Sequence, residues 1–367
     1  MKTKKMRYVW FLVILCIFCL TLFLARTRSK VVMRNRIYHQ WNEHFVVSKG
    51  KESYVRTTND SNQTVVLSEA QSYGMLITVA AAEKGQAQQA DFDRLYHYYL
   101  NHRLEGTQLM SWKQTISNGK AKDEDHNATD GDLYIAYALL KAAQKWPKQA
   151  KDYQAQAKAI LEDILAHNYN EETGVLTVGN WANQDSEFYH LMRTSDTLPA
   201  QFQIFYEVTK DSKWLDIKEK MLQQLQTISS QTKTGLLPDF IWVDEQGTRV
   251  ADPKTIESKY DGAYSYNACR LPYNLVQSKD KTSQQLVKKM LNFFKSQRNL
   301  YAGYDLKGKA LNNHQAASFL APIVYASEHE KGYLKLVQQN KYIFTQDLPL
   351  NNYYDATMTT MIALELF

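Results

Sequence analysis

Two acid clusters stand where helices begin and a third acid stands in a loop, and carboxyl groups so placed can do acid–base chemistry. Glu69 follows the β-branched pair Val65-Val66 and precedes an apolar helical stretch over 75–82. Ser68 is placed to cap that helix, and an acid in a first turn is favoured by the helix dipole. Asp130-Gly131-Asp132 opens a second apolar helix in the same way, while Glu257 lies in a polar loop ahead of Tyr264-Ser265-Tyr266-Asn267-Ala268-Cys269-Arg270. One such acid is ordinary helix-start chemistry. Several together suit a glycan-cleaving cleft, which needs a protonated carboxyl to donate to the leaving oxygen and an ionised carboxylate on the other face of the sugar.

Other chemistries fall away on inspection. Asp123-Glu124-Asp125-His126-Asn127 invites a calcium-loop reading, but position six is Ala128 where Gly is needed and position twelve is Tyr134 where Glu is needed. The sequence has no His-Glu-x-x-His, Cys-x-x-Cys, Gly-x-Ser-x-Gly or phosphate-binding Gly-rich loop, so neither a metal nor any other cofactor is expected. The formal net charge of +6 is concentrated at one end. Residues 1–30 hold seven basic residues and no acid, and removing those seven from the 44 leaves 37 basic against 38 acidic residues. A body so balanced offers no nucleic-acid face. Cys16 and Cys19 lie in the N-terminal apolar run, which leaves Cys269 alone in the body with no disulfide partner there.

The elements that must carry these acids read as helices. Apolar residues recur at helical spacing over about 68–84, 90–103, 130–146, 150–167, 185–193, 198–209, 212–229, 283–298, 313–327 and 355–367, with breakers such as Gly85, Pro147, Gly174, Gly235 and Gly303 between them. Strand-like runs are few, chiefly 174–178 and 240–243. Residues 31–62 read as mixed and polar, with Tyr38-His39-Gln40-Trp41 as a first anchor. No fixed repeat period supports an open solenoid. A closed ring of helix pairs suits the length, since one toroid uses twelve helices. At the N-terminus a basic segment precedes seventeen uncharged residues over 9–25. They would span roughly 25 Å as a helix, near the lower limit for crossing a bilayer, and no small-x-small cleavage pattern follows. Residues 1–30 are therefore expected to be a cytoplasmic tail and single-pass signal-anchor, with the body exported. Cleavage and secretion is the alternative.

Five ordered segments carry a resemblance. Ser68-Glu69-Ala70-Gln71-Ser72-Tyr73-Gly74-Met75 resembles the Ser-Glu-Gly-Gln-Gly-Tyr-Gly-Met signature of glycoside hydrolase family eight, and Ala128-Thr129-Asp130-Gly131-Asp132 resembles its Ala-x-Asp-Gly-Asp helix. Gly235-Leu236-Leu237-Pro238-Asp239-Phe240, Tyr266-Asn267-Ala268-Cys269-Arg270-Leu271-Pro272-Tyr273 and Tyr353-Tyr354-Asp355-Ala356 match further family segments in the same order, so the resemblance covers about 40–367. It implies an all-α (α/α)6 barrel over 31–367 behind the membrane helix. It also implies inverting hydrolysis of a β-1,4-type polysaccharide such as cellulose, mixed-linkage glucan, xylan or chitosan.

Carried over residue by residue, Glu69 matches the general acid and Asp130 the acid that binds and distorts the sugar at the cleavage subsite. The departure is Asn267, where the largest branch of the family has its Asp base. In another branch that position is also Asn and the base is a Glu on the preceding loop, which makes Glu257 the candidate. The carboxyl separation expected of an inverting pair is roughly 6.5–9.5 Å. Trp112 resembles the family's aromatic platform. Tyr73, Tyr264, Trp181, Asn267 and Arg270 are further substrate-binding candidates, with Tyr189 and Trp242 weaker, and Arg270 is expected to orient a cleft carboxylate. The chain is thus expected to be a monomeric, membrane-anchored endo-β-glycanase, tied through its anchor to exopolysaccharide synthesis or release machinery. An inactive glycan-binding protein on the same scaffold, or a helical scaffold for a synthase, are the competing readings.

Overall fold

The computed structural model describes residues 2–60 and 63–367. The described residues form twelve α-helices, α1 (Lys2–Phe45), α2 (Ser68–Glu83), α3 (Gln89–Asn101), α4 (Thr129–Lys145), α5 (Ala150–His167), α6 (Pro199–Thr209), α7 (Lys213–Ser230), α8 (Leu271–Val276), α9 (Lys281–Ser296), α10 (Ala317–His329), α11 (Leu334–Asn340) and α12 (Tyr353–Leu366), paired as hairpins from α2/α3 to α10/α11 with α12 closing on α1. The even-numbered helices form the inner ring. α2 packs on α4, α6 on α8, α8 on α10, α10 on α12 and α12 back on α2, while the turn over 194–196 bridges α4 to α8. Their residues explain the position: α2, α4, α10 and α12 are apolar or small on nearly every face and bury most of their length. The outer helices are one-sided. α7 buries Trp214, Ile217, Met221, Leu222, Leu225 and Ile228, and α9 buries Leu286, Val287, Met290, Leu291 and Phe294, stripes on the side turned to the inner ring, with polar residues on the other. The chain folds as an (α/α)6 barrel.

Three small antiparallel sheets sit at the end where the inner helices begin. They are the hairpin β1–β2 (Val46–Lys49, Glu52–Val55), the sheet β3–β4–β5 (Thr64–Leu67, Lys113–Ser117, Lys120–Asp123) and the sheet β6–β7–β8 (Leu191–Arg193, Phe240–Asp244, Gly247–Val250). β3 runs straight into α2, and its pairing Leu67↔Lys113 places Trp112 beside the first turn of that helix, where the Ser68 N–H donates to the Trp112 carbonyl at 2.9 Å.

Several expectations are corrected. The stretch 185–193 is not a helix but a run of turns ending in β6, because Arg193 pairs with Phe240 across the sheet. The run 174–178 makes only a single bridge, Tyr169↔Leu176. Ser68 does not cap α2: Leu67 holds the cap position, and the buried Ser68 hydroxyl has no hydrogen-bond partner. α1 runs unbroken from Lys2 to Phe45. Its first part is an exposed apolar helix long enough to cross a membrane, with a mean hydropathy of 2.7 in its most apolar window. Its last turns bury Ile37, Tyr38, Trp41 and Phe45 against α12.

Gly131 sets how closely α2 and α4 meet. A Cβ built there would lie 2.2 Å from the Ser68 hydroxyl oxygen and 2.6 Å from its Cβ. Gly131→Ala is therefore expected to destabilise the fold by about 1–3 kcal/mol through overpacking, read as a lowered urea midpoint. Adding Ser68→Gly should recover part of the loss, and no recovery would mean that this contact is not the cause.

Candidate active site

The inner-ring geometry brings the first turns of α2 and α4 together, so Glu69 and Asp130 face one cleft. Its volume is about 420 Å³, and Leu67, Trp112, Tyr266, Tyr353 and Tyr354 give it apolar walls around Glu69, Asp130, Arg193, Glu257 and Asn267. Arg270, wholly buried, is the hub. Its Nη1 donates to Glu69 Oε2 at 2.9 Å, to the Tyr73 hydroxyl at 3.0 Å and to Asp130 Oδ2 at 3.1 Å. Its Nη2 donates to Ser195 Oγ at 2.7 Å and to the Asn267 side-chain oxygen at 3.0 Å. The Asn267 amide in turn donates to Glu257 Oε2 at 2.8 Å. One hydrogen-bonded path thus runs from Glu69 through Arg270 and Asn267 to Glu257.

The two α-helical acids differ in charge state for physical reasons. Burial pushes the Glu69 carboxyl up to about 7; Arg270 pulls against that and Asp130 adds to it. Burial also acts on Asp130, but the guanidiniums of Arg193, 2.8 Å away, and Arg270 outweigh it and hold the carboxyl below its ordinary value. A fifth of the Glu69 side chain stays exposed. The arrangement keeps one acid able to carry a proton near neutral pH beside another that stays ionised.

Four further acids build the frame rather than line the cleft. Asp132, buried and pushed up to about 8 by that burial, accepts from the Met110 N–H and the Asn127 amide, each at 2.8 Å, and fixes the segment leading to Trp112. Asp239, pushed up to about 8 likewise, accepts from the N–H groups of Ser265 and Ala268 and pins the turn that carries Asn267 and Arg270. Asp261 accepts from the N–H groups of Ile256, Glu257 and Ser258 at 2.7–3.1 Å and shapes the loop that presents Glu257. Asp196 is buried 3.6 Å from Arg193, and burial pushes it up to about 7.

The expected site residues divide accordingly. Glu69, Asp130, Asn267, Trp112 and Glu257 meet at the cleft, and Arg270 stands behind it, hydrogen-bonded to Glu69 and Asp130. Glu257 is the most open of the acids, with 47% of its side chain exposed, and Arg193 Nη2 lies 3.9 Å away. Trp112 stacks on His126 with centroids 5.7 Å apart, and Trp181 lies one ring further out, 6.2 Å from His126. Tyr73 stands behind Arg270, fully buried, and does not line the cleft. Tyr264 is corrected outright: it is a core residue packed on Phe294 and Phe319. Tyr189 is buried too, and Trp242 packs with Phe188 and Arg249. Reasoning from sequence missed Arg193, Ser195 and Asp196, and it assigned no role to Tyr266, Tyr353 and Tyr354.

The sequence matches glycosyl hydrolases family 8 over residues 13–365. The chain belongs to that family. It is a glycoside hydrolase, of a family whose reaction inverts the anomeric centre. Its relatives include a beta-glucanase of Niallia circulans, 30% identical over 298 residues that cover 78% of this chain and 72% of the relative. An endoglucanase of Bacillus sp. (strain KSM-330) is 30% identical over 275 residues, 71% of this chain and 58% of that protein. Among solved structures, the apo beta-1,3-1,4-glucanase from Paenibacillus sp. X4 superposes with a TM-score of 0.82 at 24% identity, covering 93% of this chain and 92% of that one. That likeness fixes the fold, and the family-8 assignment gives the carboxyl network its chemical setting.

Proposed function

We propose that this family-8 chain is a membrane-anchored, outward-facing endo-β-glucanase that cleaves a β-1,4-type polysaccharide with inversion. Glu69 donates its proton to the leaving glycosidic oxygen as the bond to the anomeric carbon breaks. Glu257 takes a proton from the water that attacks that carbon from the opposite face. Asp130 binds and distorts the sugar between them, and Trp112 and Tyr266 stack against the neighbouring units. The observation that carries this reading is the Asn267 side chain, whose amide donates to Glu257 while its carbonyl accepts from the Arg270 that holds Glu69. An amide cannot deprotonate water, but here it can orient a loop glutamate that can.

Chains at the cell surface, such as an exopolysaccharide during synthesis or release, are the substrates such a tether would favour. Reducing-end release by the full chain from β-1,4-glucan, mixed-linkage β-1,3-1,4-glucan, xylan and chitosan tests the assignment, with proton NMR reading the anomer formed first. Release with the α-anomer appearing first is expected. Retention of polymer in affinity electrophoresis without any release would favour the glycan-binding alternative.

A further inference from the structure

The barrel has two ends, and α1 determines which of them lies toward its apolar segment. α1 runs antiparallel to α12. Arg34 Nη1 donates to the Phe367 carbonyl at 3.0 Å, at the C-terminal end of α12. Further along, Trp41 Nε1 donates to Thr357 Oγ1 at 2.9 Å. At the N-terminal end of α12 the Phe45 ring meets the Tyr353 ring edge-on, with centroids 6.0 Å apart. Tyr353 lines the cleft. The cleft therefore lies at the C-terminal end of α1, and the apolar segment leaves the barrel from the other end on unbroken helical backbone. At 1.5 Å per residue, Ala25 is about 14 Å along the axis from Arg34 and about 30 Å from Phe45.

That other end also carries a modest basic excess. Inner helices begin at the cleft, so each loop turning from an inner helix to the next outer one lies on the opposite side. The five such loops hold one lysine apiece: Lys84, Lys148, Lys210, Lys279 and Lys331. Among the described residues none of these five is ion-paired. The same loops hold three acids, so five lysines against three leave a net charge of +2; Asp280 caps α9, Asp211 accepts from the Lys213 N–H, and Glu330 pairs with Lys288 at 3.5 Å. Arg26 and Arg28, exposed on α1, extend the same charge toward the apolar segment. The acidic run Asp123-Glu124-Asp125 lies instead on the cleft side, beside the His126 that stacks on Trp112.

We propose that the barrel end opposite the cleft docks on an anionic bilayer surface, so that α1 holds the cleft about 30 Å out and opening away from the lipid. The proposal rests on α1 crossing the membrane. A headgroup layer is roughly 5–7 Å thick on each side, which leaves the base of the barrel within about one Debye length of the surface at ordinary salt. Lysines at that distance are attracted to anionic headgroups. The cleft then meets free lengths of polymer clear of the membrane rather than chains lying along it.

Full-length chain with Cys16→Ala and Cys19→Ala, carrying either Lys331→Cys or Asp125→Cys, is labelled with a donor dye and reconstituted into phosphatidylglycerol vesicles with acceptor-labelled headgroups. Energy transfer from position 331 is expected to exceed that from position 125 several-fold. Chain that floats with the vesicles but gives equal or reversed transfer overturns the orientation while leaving the anchor intact. Chain that does not float overturns the anchor and the proposal together. Amine acetylation of the otherwise unaltered chain supplies a second readout. Lys148, Lys279 and Lys331 should be protected in phosphatidylglycerol relative to phosphatidylcholine vesicles, and equal labelling in the two lipids overturns docking by charge.

Discussion

Glu69→Gln lowers kcat on polysaccharide by about 10²–10⁴-fold, the usual loss when a general acid is removed. The glutamine keeps the shape and can still meet Arg270 Nη1, but it has no proton to give. The loss should be much smaller on an aryl glycoside whose leaving group departs without protonation, and that contrast separates a missing acid from a damaged cleft. The wild-type pH profile carries the same signature. With its carboxyl pushed up to about 7 by burial, Glu69 holds its proton below that value and loses it above. The kcat/KM of the wild type, which reports the free enzyme, therefore falls as the pH rises through about 7. In the Gln variant that limb disappears, because the group whose ionisation produced it is gone. A limb that persists unchanged in the variant would assign it to another acid, with Asp196, also near 7 and 3.6 Å from Arg193, the first to examine.

What could be read in the sequence, and what could not, follows from the range of the interactions involved. Glu69 and Asp130 were legible because each stands in the first turn of an apolar helix, and a local pattern is enough to place it. Arg270 was legible as a partner for them through the ordered family motifs, although the residues it joins come from four separate segments. Arg193 was not. The apolar spacing over 185–193 imitates a helix, and only pairing with β7, nearly fifty residues away, draws its end into a strand. Tyr264 and Tyr266 show a different failure. Two residues apart, they would share one face of a strand, but Tyr264 is bridged to Tyr304 and the chain turns at Tyr266. Tyr264 enters the core and Tyr266, 43% exposed, faces the cleft. Separating them needed the turn, which the distant Asp239 carboxylate pins through the N–H groups of Ser265 and Ala268. The end of α1 was missed for a simpler reason: Ile37, Tyr38, Trp41 and Phe45 keep helical spacing, but they lie among polar residues in a stretch that reads as mixed.

Glu257→Gln is the sharper experiment, because it tests the part of the site where this chain departs from the commoner family pattern. If Glu257 is the base, kcat drops by about 10²–10⁴-fold with KM little changed, since the carboxylate acts on water and not on the sugar. Survival of activity within about tenfold would remove Glu257 from the mechanism. The geometry makes the outcome informative in either direction. Gln at 257 still has an oxygen to accept from the Asn267 amide, and the Asp261 carboxylate still holds the backbone of the loop. The substitution therefore removes the charge with little disturbance of the scaffold. Glu257→Ala adds a chemical check. Azide needs no base to attack the anomeric carbon, so it should restore cleavage in that variant and yield a glycosyl azide of inverted configuration. Restoring an acid at the other position is not equivalent. In Asn267→Asp the new carboxylate would face Glu257 at the 2.8 Å contact that an amide now bridges, so like charges would oppose each other and the loop would be pushed out. That variant is expected to lose activity rather than gain a second base, and an activity assay in which it gains instead would mark Asn267 as the remnant of a lost base.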